Sequence, residues 1–413
     1  MKVRVERDVL AEAVGWAARA LPARPVVPIL AGLLLEASEE AAGLTLSCFD
    51  YEVSARVSAG AEVAEPGSAL IPGRLLAEIA RSLPDQPVEM AGDAAAGALA
   101  LTCGSAEFTL LTFPDADYPA LPRQPPPSGM VDGGALAAAV AQVAPAAGRD
   151  DTLPMLTGVF MEIDGEVITL AATDRYRLAV SEVRWRPARP GMRASALVPA
   201  RTLADAAKTM TAGTEISIAL GEPGEPGTDP ADGQRTGGQR SGEGMIAFDG
   251  GGRRLTTRLL GGEFVPYRSR FPREAAARAT VRPGPFAEAV RRVALVADRQ
   301  SRLRLTFHSG NVLIEAGSGD GARAVEEAGA DFDGGDGFAI GFNPQYLLDG
   351  ITAAAAPAPG PGAGPAAAGA DGAGSAAGPS GAGGVTFGFS TPDKPAVISS
   401  GSGFRYLIAP MRG

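Results

Sequence analysis

The stretch SALIPGRLLAEIA at residues 68–80 returns at residues 195–207 as SALVPARTLADAA, about 127 positions later. Both copies obey S-A-L-x-P-x-R-x-L-A-x-x-A, and a weaker third copy, FAIGFNPQYLLDGI, occupies residues 338–351. Each reads as a short apolar strand, a loop and a helix with apolar residues at helical spacing, in the first copy Leu75, Leu76, Ile79 and Leu83. A period of this length is far above that of a solenoid, so each repeat is expected to be a domain.

Other segments recur in the same order. An amphipathic helix opens each unit: VLAEAVGWAARAL, GALAAAVAQVA and PFAEAVRRVALVA. A strand pair follows, in LTLSCFDYEVSARV, ITLAATDRYRLAVSEV and VLIEAGSGDGARAVEE, and a strand closes each unit, ending in GFRYLIAPMRG. The pattern predicts an α+β chain of three repeated domains, each with two helices and mostly antiparallel sheets. Proline-rich stretches place the boundaries at residues 1–124, 128–275 and 277–413. Two segments, 221–244 and 356–384, are rich in Gly, Pro and Ala with almost no large apolar residues. They cannot bury enough surface to offset the entropy of ordering, so they read as mobile insertions.

Composition excludes several functions. The two cysteines, Cys48 and Cys103, lie in apolar runs and read as buried thiols in a reducing cytoplasm. His308 is the single histidine, which leaves little room for a histidine-based zinc site or a Ser-His-Asp triad. GSGDGA at 317–322 lacks the Lys-Ser/Thr of a phosphate loop and reads as a hairpin turn. Asp150 and Asp151 have no metal-spaced partners. No catalytic residue, cofactor or metal is expected. No signal peptide and no apolar run long enough to span a membrane is present, so a cytoplasmic protein is expected. The net charge of −10 argues against tight groove binding to nucleic acid, but not against a protein through which DNA passes without sticking.

Five motifs then appear in a fixed order: PARPVVPILAGLLLE near the start, DDTLPMLTGVFMEI, TDRYRLAV, EFVPYRSRFP and a terminal YLIAPMR. In this order they resemble the beta subunit (DNA sliding clamp) of bacterial DNA polymerase III, over the whole chain except the two insertions. The resemblance implies a head-to-tail homodimer with six domains in a closed ring, helices lining the hole and sheets outside. Such a clamp holds duplex DNA by topology, without reading its sequence. It implies tethering of the polymerase catalytic subunit, the clamp loader and repair polymerases through short linear motifs.

Carried over by position, the resemblance implies a peptide-binding pocket built from Leu156, Thr173, Arg175, Tyr176, Arg177, Leu178, Val265, Arg270, Tyr346, Leu407, Ala409, Pro410, Met411 and Arg412. Leu156, Leu178, Val265, Leu407 and Met411 would form an apolar slot, with Thr173, Arg177 and Arg412 orienting the peptide. DNA-facing residues would be Arg24, Arg74, Arg149, Arg201 and Lys208; Arg74 and Arg201 occupy equivalent places in the repeat. The ring would close through Phe108 and Leu110 against Ala294 and Leu295. Ala409, Val265, Arg270 and the terminal Gly413 depart from the family pattern, and the second insertion rejoins the fold near Pro395–Val397. A specialised or drug-tolerant second copy with altered pocket specificity, or a clamp-fold protein that no longer encircles DNA, therefore stays open as an alternative.

Overall fold

The computed structural model describes residues 1–38, 43–93, 96–210, 214–221, 244–297, 302–317, 321–356, 384–401 and 403–411. Most of both insertions, and Arg412 and Gly413, lie outside the described residues. Among the described residues there are six α-helices: α1 (Arg7–Ala17), α2 (Gly73–Ser82), α3 (Gly133–Val143), α4 (Ala200–Ala207), α5 (Pro283–Ala294) and α6 (Pro344–Ala355). They pack as α1 on α2, α3 on α4 and α5 on α6, one pair for each sequence repeat. The chain forms two compact units, Met1–Met130 with Thr214–Leu259, and Val131–Gly213 with Leu260–Gly413.

In the first unit, one antiparallel sheet runs in the order Glu62–Glu65, Lys2–Val5, Val88–Asp93, Ala98–Cys103, Ala106–Leu111. A second contains Glu215–Leu220, Met245–Gly250, Arg253–Arg258, Val53–Gly60, Gly43–Phe49, Gly32–Ser38 and Gly67–Pro72, in that order. The later strands of the second repeat thus join the sheet of the first through Arg253–Arg258 on Val53–Gly60. On α2, Leu76, Ala77, Ile79 and Ala80 are buried and Arg74, Leu75, Glu78 and Arg81 are exposed. Leu75, expected on the apolar face, is on the outer one: the spacing i, i+3, i+4 of a 3.6-residue turn selects Leu76 with Ile79 and Ala80. Cys48 and Cys103 are buried free thiols that donate to backbone carbonyls. Burial pushes the Cys48 thiol up to about 12, which keeps it protonated and unreactive.

The second unit is organised by one antiparallel sheet whose strand order runs, in part, Arg193–Pro199, Gly158–Asp164, Val167–Thr173, Arg177–Arg184, Arg405–Ile408, Ala396–Ser399, Val385–Phe389, Ala277–Val281, Arg323–Asp333. Arg177–Arg184 is central, with Leu178 opposite Thr173 on one side and Leu407 on the other. Its first five residues, Arg177–Ser181, are all buried, while Glu182 and Arg184 are exposed. The C-terminal strand Arg405–Ile408 therefore completes a sheet begun by the second repeat. The second insertion rejoins the fold at Val385–Phe389, a strand earlier than expected; Ala396–Ser399 then brings Val397 opposite Leu407. Asp132 caps α3 by accepting from the Ala135 amide at 2.8 Å. Asn343 caps α6 ahead of Pro344, accepting from the amides of Gln345 and Tyr346. The strands Asn311–Gly317 and Arg323–Asp333 pair with Gly317 opposite Arg323; residues 318–320 of GSGDGA, where a turn is expected, lie outside the described residues.

Candidate functional site

The segment TDRYR joins strand Val167–Thr173 to strand Arg177–Arg184 and makes a turn that the sequence itself over-determines. Asp174 Oδ1 accepts from the amides of Tyr176 and Arg177, each at 3.0 Å. Thr173 Oγ1 accepts from the Arg175 amide at 3.1 Å and donates to the Arg177 carbonyl at 2.6 Å. Side chains of this kind bond to nearby backbone in turns, so the local geometry follows from local residue types. The turn leaves Arg175 and Tyr176 exposed and drives Arg177 inward, to 7 % side-chain exposure.

Arg177 is the hub of the site. Its Nε donates to Asp174 at 2.9 Å, its Nη1 to Asp349 of α6 at 2.5 Å, and its Nη2 to the Pro145 carbonyl beyond α3. The guanidinium lies over the Tyr346 ring, 4.3 Å from the centroid. Burial works against its charge, but Tyr406, Asp349 and Asp174 more than offset this and hold its pKa above the ordinary value. Burial likewise raises the Tyr406 phenol, which donates to the Tyr346 carbonyl at 2.9 Å. Thr173 and Arg177, the residues expected to orient a bound peptide, both make hydrogen bonds within the protein.

Around this hub is a cavity of about 710 Å³. Its walls include Leu156, Arg175, Tyr176, Arg177 and Tyr346, five of the expected pocket residues, with Arg149, Leu153 and Asp349. Tyr176 and Tyr346 stack at its edge, with ring centroids 6.5 Å apart. An apolar cluster in the same unit joins Leu178, Val265 and Leu407, as expected, to Ala171, Val180, Phe160, Phe264, Tyr267, Phe271 and Val397. Leu156 belongs to the cavity wall rather than to this cluster. Ala409 is pinned by its amide to the Tyr176 carbonyl at 2.8 Å, and Met411 to the Gly341 carbonyl at 2.8 Å. Pro410 and Met411 are half-buried, Arg270 is exposed, and Arg412 lies outside the described residues.

Phe160 and Phe264 escaped the sequence reading because each also reads as an ordinary strand or loop residue, whereas the sequence did point to the neighbourhood of Val397. Asp349 escaped it because it stands 172 positions from Arg177.

The expected DNA-facing cations are all exposed. In the first unit, Arg74 donates to the Leu21 carbonyl at 3.0 Å. In the second, Arg149, Arg201 and Lys208 converge on a groove of about 870 Å³ between α3 and α4, floored by Ala137, Val140, Ala141, Ala204 and Ala207. Lys208 is also paired with Asp205 at 2.9 Å. The segment Pro145–Arg149 contributes to both this groove and the neighbouring cavity. Among the described residues no group of three His, Cys, Asp or Glu side chains is placed to hold a metal, and no helix is long and apolar enough to cross a membrane.

Of the expected contact residues, Leu295 is 84 % exposed just beyond α5, Ala294 is half-buried and Phe108 is half-buried. Leu110 is buried in its own unit, where alternation along Ala106–Leu111 turns it inward and leaves Leu111 outward at 74 % exposure. Ala106–Leu111 is an edge of its sheet. In the second unit, Arg323–Gly329 pairs with Asn311–Gly317, while Ala277–Val281 reaches only Ala330–Asp333, so 323–329 has an open side among the described residues.

Three family models match in tandem: the N-terminal domain of the DNA polymerase III beta subunit over residues 1–122, its central domain over 130–266 and its C-terminal domain over 268–358. The chain is 48 % identical to the beta sliding clamp of Streptomyces coelicolor, with 100 % of this chain and 99 % of that one covered. It is 42 % identical to the beta sliding clamp homolog GriR of Streptomyces muensis, over 85 % of this chain and 88 % of that one. The Pseudomonas aeruginosa sliding clamp bound to griselimycin shares its fold, with a TM-score of 0.80, 24 % identity and complete coverage of both chains.

Proposed function

The chain belongs to the DNA polymerase III beta-subunit family, the beta sliding clamps, and from that membership we propose how its own residues do a clamp's work. It acts without catalysis, encircling duplex DNA and tethering the replicative polymerase, the clamp loader and repair polymerases in the bacterial cytoplasm. The three sequence repeats are its three clamp domains, and two copies close a ring. The observation that carries this reading is the full-length identity with a curated clamp. The identity to GriR is lower and over less of the chain, which favours the general clamp over a specialised copy.

The charge pattern supports a ring that slides. Arg149, Arg201 and Lys208 meet in one groove of a chain whose net charge is −10. A concentrated patch attracts phosphates, while the acidic remainder discourages DNA from adhering elsewhere. Together with Arg24 and Arg74 these cations form the DNA-facing set. The ring closes where the Ala106–Leu111 edge of one copy meets the open side of 323–329 in the next, with Phe108 and Leu111 packed against Leu295. Pairing satisfies backbone groups that an edge strand otherwise leaves to water or to aggregation.

The peptide pocket joins the Leu178–Val265–Leu407 cluster to the Tyr176–Tyr346 cavity. Apolar anchors take the first part, and a polar or aromatic neighbour takes the second. Loading the protein onto nicked circular DNA and then linearising the DNA tests the reading. Retention on the circle with release from the linear form is expected. A folded protein that binds polymerase peptides yet fails to stay on the circle would be a non-encircling interaction protein.

A further inference from the structure

The two helices of each repeat align position by position on their buried residues. On the first helix Leu10, Leu136 and Phe286 are buried, and so, four residues later, are Val14, Val140 and Val290. Two residues beyond the valine, a strand contact confirms the register. Gln142 accepts from Ser181 at 2.7 Å, and at the equivalent place Arg292 donates to Glu326 at 2.6 Å. On the second helix the matching buried residues are Leu76, Leu203 and Leu347.

In this alignment a positive charge changes helix. The second helix exposes Arg74 and Arg81 in the first repeat, and Arg201 and Lys208 in the second, but Gln345 and Thr352 in the third. The first helix does the reverse. The residue after the buried valine is Gly15, then Ala141, then Arg291. Ala141 lines the α3–α4 groove beside Arg201 and Lys208, so Arg291 stands at the corresponding edge of α5, where it packs on α6. Glycine and alanine serve at this place in the other repeats, so the fold itself does not require an arginine there. The other charged residues of α5 and α6 are engaged. Arg292 binds Glu326 and comes within 3.9 Å of Glu288, and Asp349 binds Arg177 and Gln345. Arg291 is exposed and, among the described residues, is in no ion pair. A guanidinium that no acid holds can give its planar fork of donors to a phosphate.

We propose that Arg291 is the DNA-facing cation of the third clamp domain, contacting backbone phosphates of the duplex from the first helix of the repeat where the other two domains use the second. This rests on the clamp reading above. The test uses the full chain with a photoreactive azide on Arg291→Cys or, as an outer-sheet control, on Lys394→Cys; the native thiols are buried. After loading onto nicked circular DNA, light should crosslink the 291 probe to DNA far more than the 394 probe. Arg291→Ala should weaken binding of a short labelled duplex at low salt by about two- to fivefold, the size of an exposed charge pair. Its slope of log affinity against log salt should fall by about one, the signature of one phosphate contact. Arg291→Lys should keep most of the affinity. Adding Thr352→Lys to R291A should restore it, because Lys208 stands at that place in the second repeat. The thermal midpoint of R291A should not move, as the side chain is exposed. Crosslinking from 291 no stronger than from 394, duplex binding by R291A equal to the wild type, or a loss that neither R291K nor T352K relieves overturns the proposal. Any of these with the protein still held on the circle leaves the clamp reading in place. A protein that is not held on the circle ends that reading, and this proposal with it.

Discussion

Arg177 carries a full charge almost out of contact with water, and that is tolerable because two carboxylates, a carbonyl and a phenol oxygen accept from it and the Tyr346 ring covers one face of its plane. Removing one partner of a buried pair leaves the other charge uncompensated, so Arg177→Ala should destabilise the protein by about 3 kcal/mol. Urea unfolding of the variant measures this, and a loss of a few tenths would show that Asp174 and Asp349 rehydrate freely. Arg177→Lys should recover only part of the loss, since an ammonium cannot present a planar fork to three acceptors. Gln142 meets the same demand on a smaller scale: buried beside the same strand, it accepts from Ser181 at 2.7 Å and donates to the Ala353 carbonyl of α6 at 3.1 Å.

At the level of elements, the EFVPYRSRFP segment is held to the sheet by one carboxylate. Glu162, on strand Gly158–Asp164, accepts from the Tyr267 hydroxyl and from Arg268 at 2.7 Å. The Tyr267 bond first, then Arg268, keeps the Glu162 carboxyl below its usual range despite partial burial. A carboxyl depressed in the folded state contributes stability above its unfolded value of about 4.5, and loses it as pH falls through the folded value. Glu162→Gln should therefore be less stable than the wild type near pH 7, with the gap closing as pH falls below the ordinary carboxylate value and through the lowered folded one. Denaturation near neutrality and at acid pH checks the sign; a gap that stays constant would mean that the ionised form adds nothing.

The helices show a second lesson at this scale. Burial aligns Leu76, Leu203 and Leu347, which puts Arg74, Arg201 and Gln345 at equivalent exposed positions. The third repeat thus lacks the cation of the other two, and Gln345 bonds Asp349 at 2.7 Å instead.

For the whole molecule, the property to test is the proposed closure of two copies into a ring. Leu295 is almost fully exposed within one chain, so a charge there should leave the fold intact. Leu295→Asp is expected to sediment as a monomer with an unchanged thermal midpoint, and to be lost from circular DNA. A dimer that persists would move the junction elsewhere. Arg292, which ties α5 to Glu326 at 2.6 Å, fixes the helix beside the open strand. Arg292→Ala should weaken dimerisation less than L295D, because an exposed ion pair is worth little.

The threefold repeat, the six helices, the hairpins and the TDRYR turn could all be read from the chain. Each depends on residues a few positions apart, whose periodicity and side-chain chemistry act locally. The family could be read as well, because its motifs are short and ordered. The partition into compact units could not, since the later strands of the second repeat complete the sheet of the first. Nor could the inward role of Leu110, because alternation sets which neighbours share a face but not which face meets the core. The site divides in the same way. Thr173 to Leu178 announce a turn, but the partner of Arg177 on α6 and the Val397–Leu407 wall come from distant sequence. Only packing brings them together, and only packing decides that Arg177 is buried while Arg175 stays exposed.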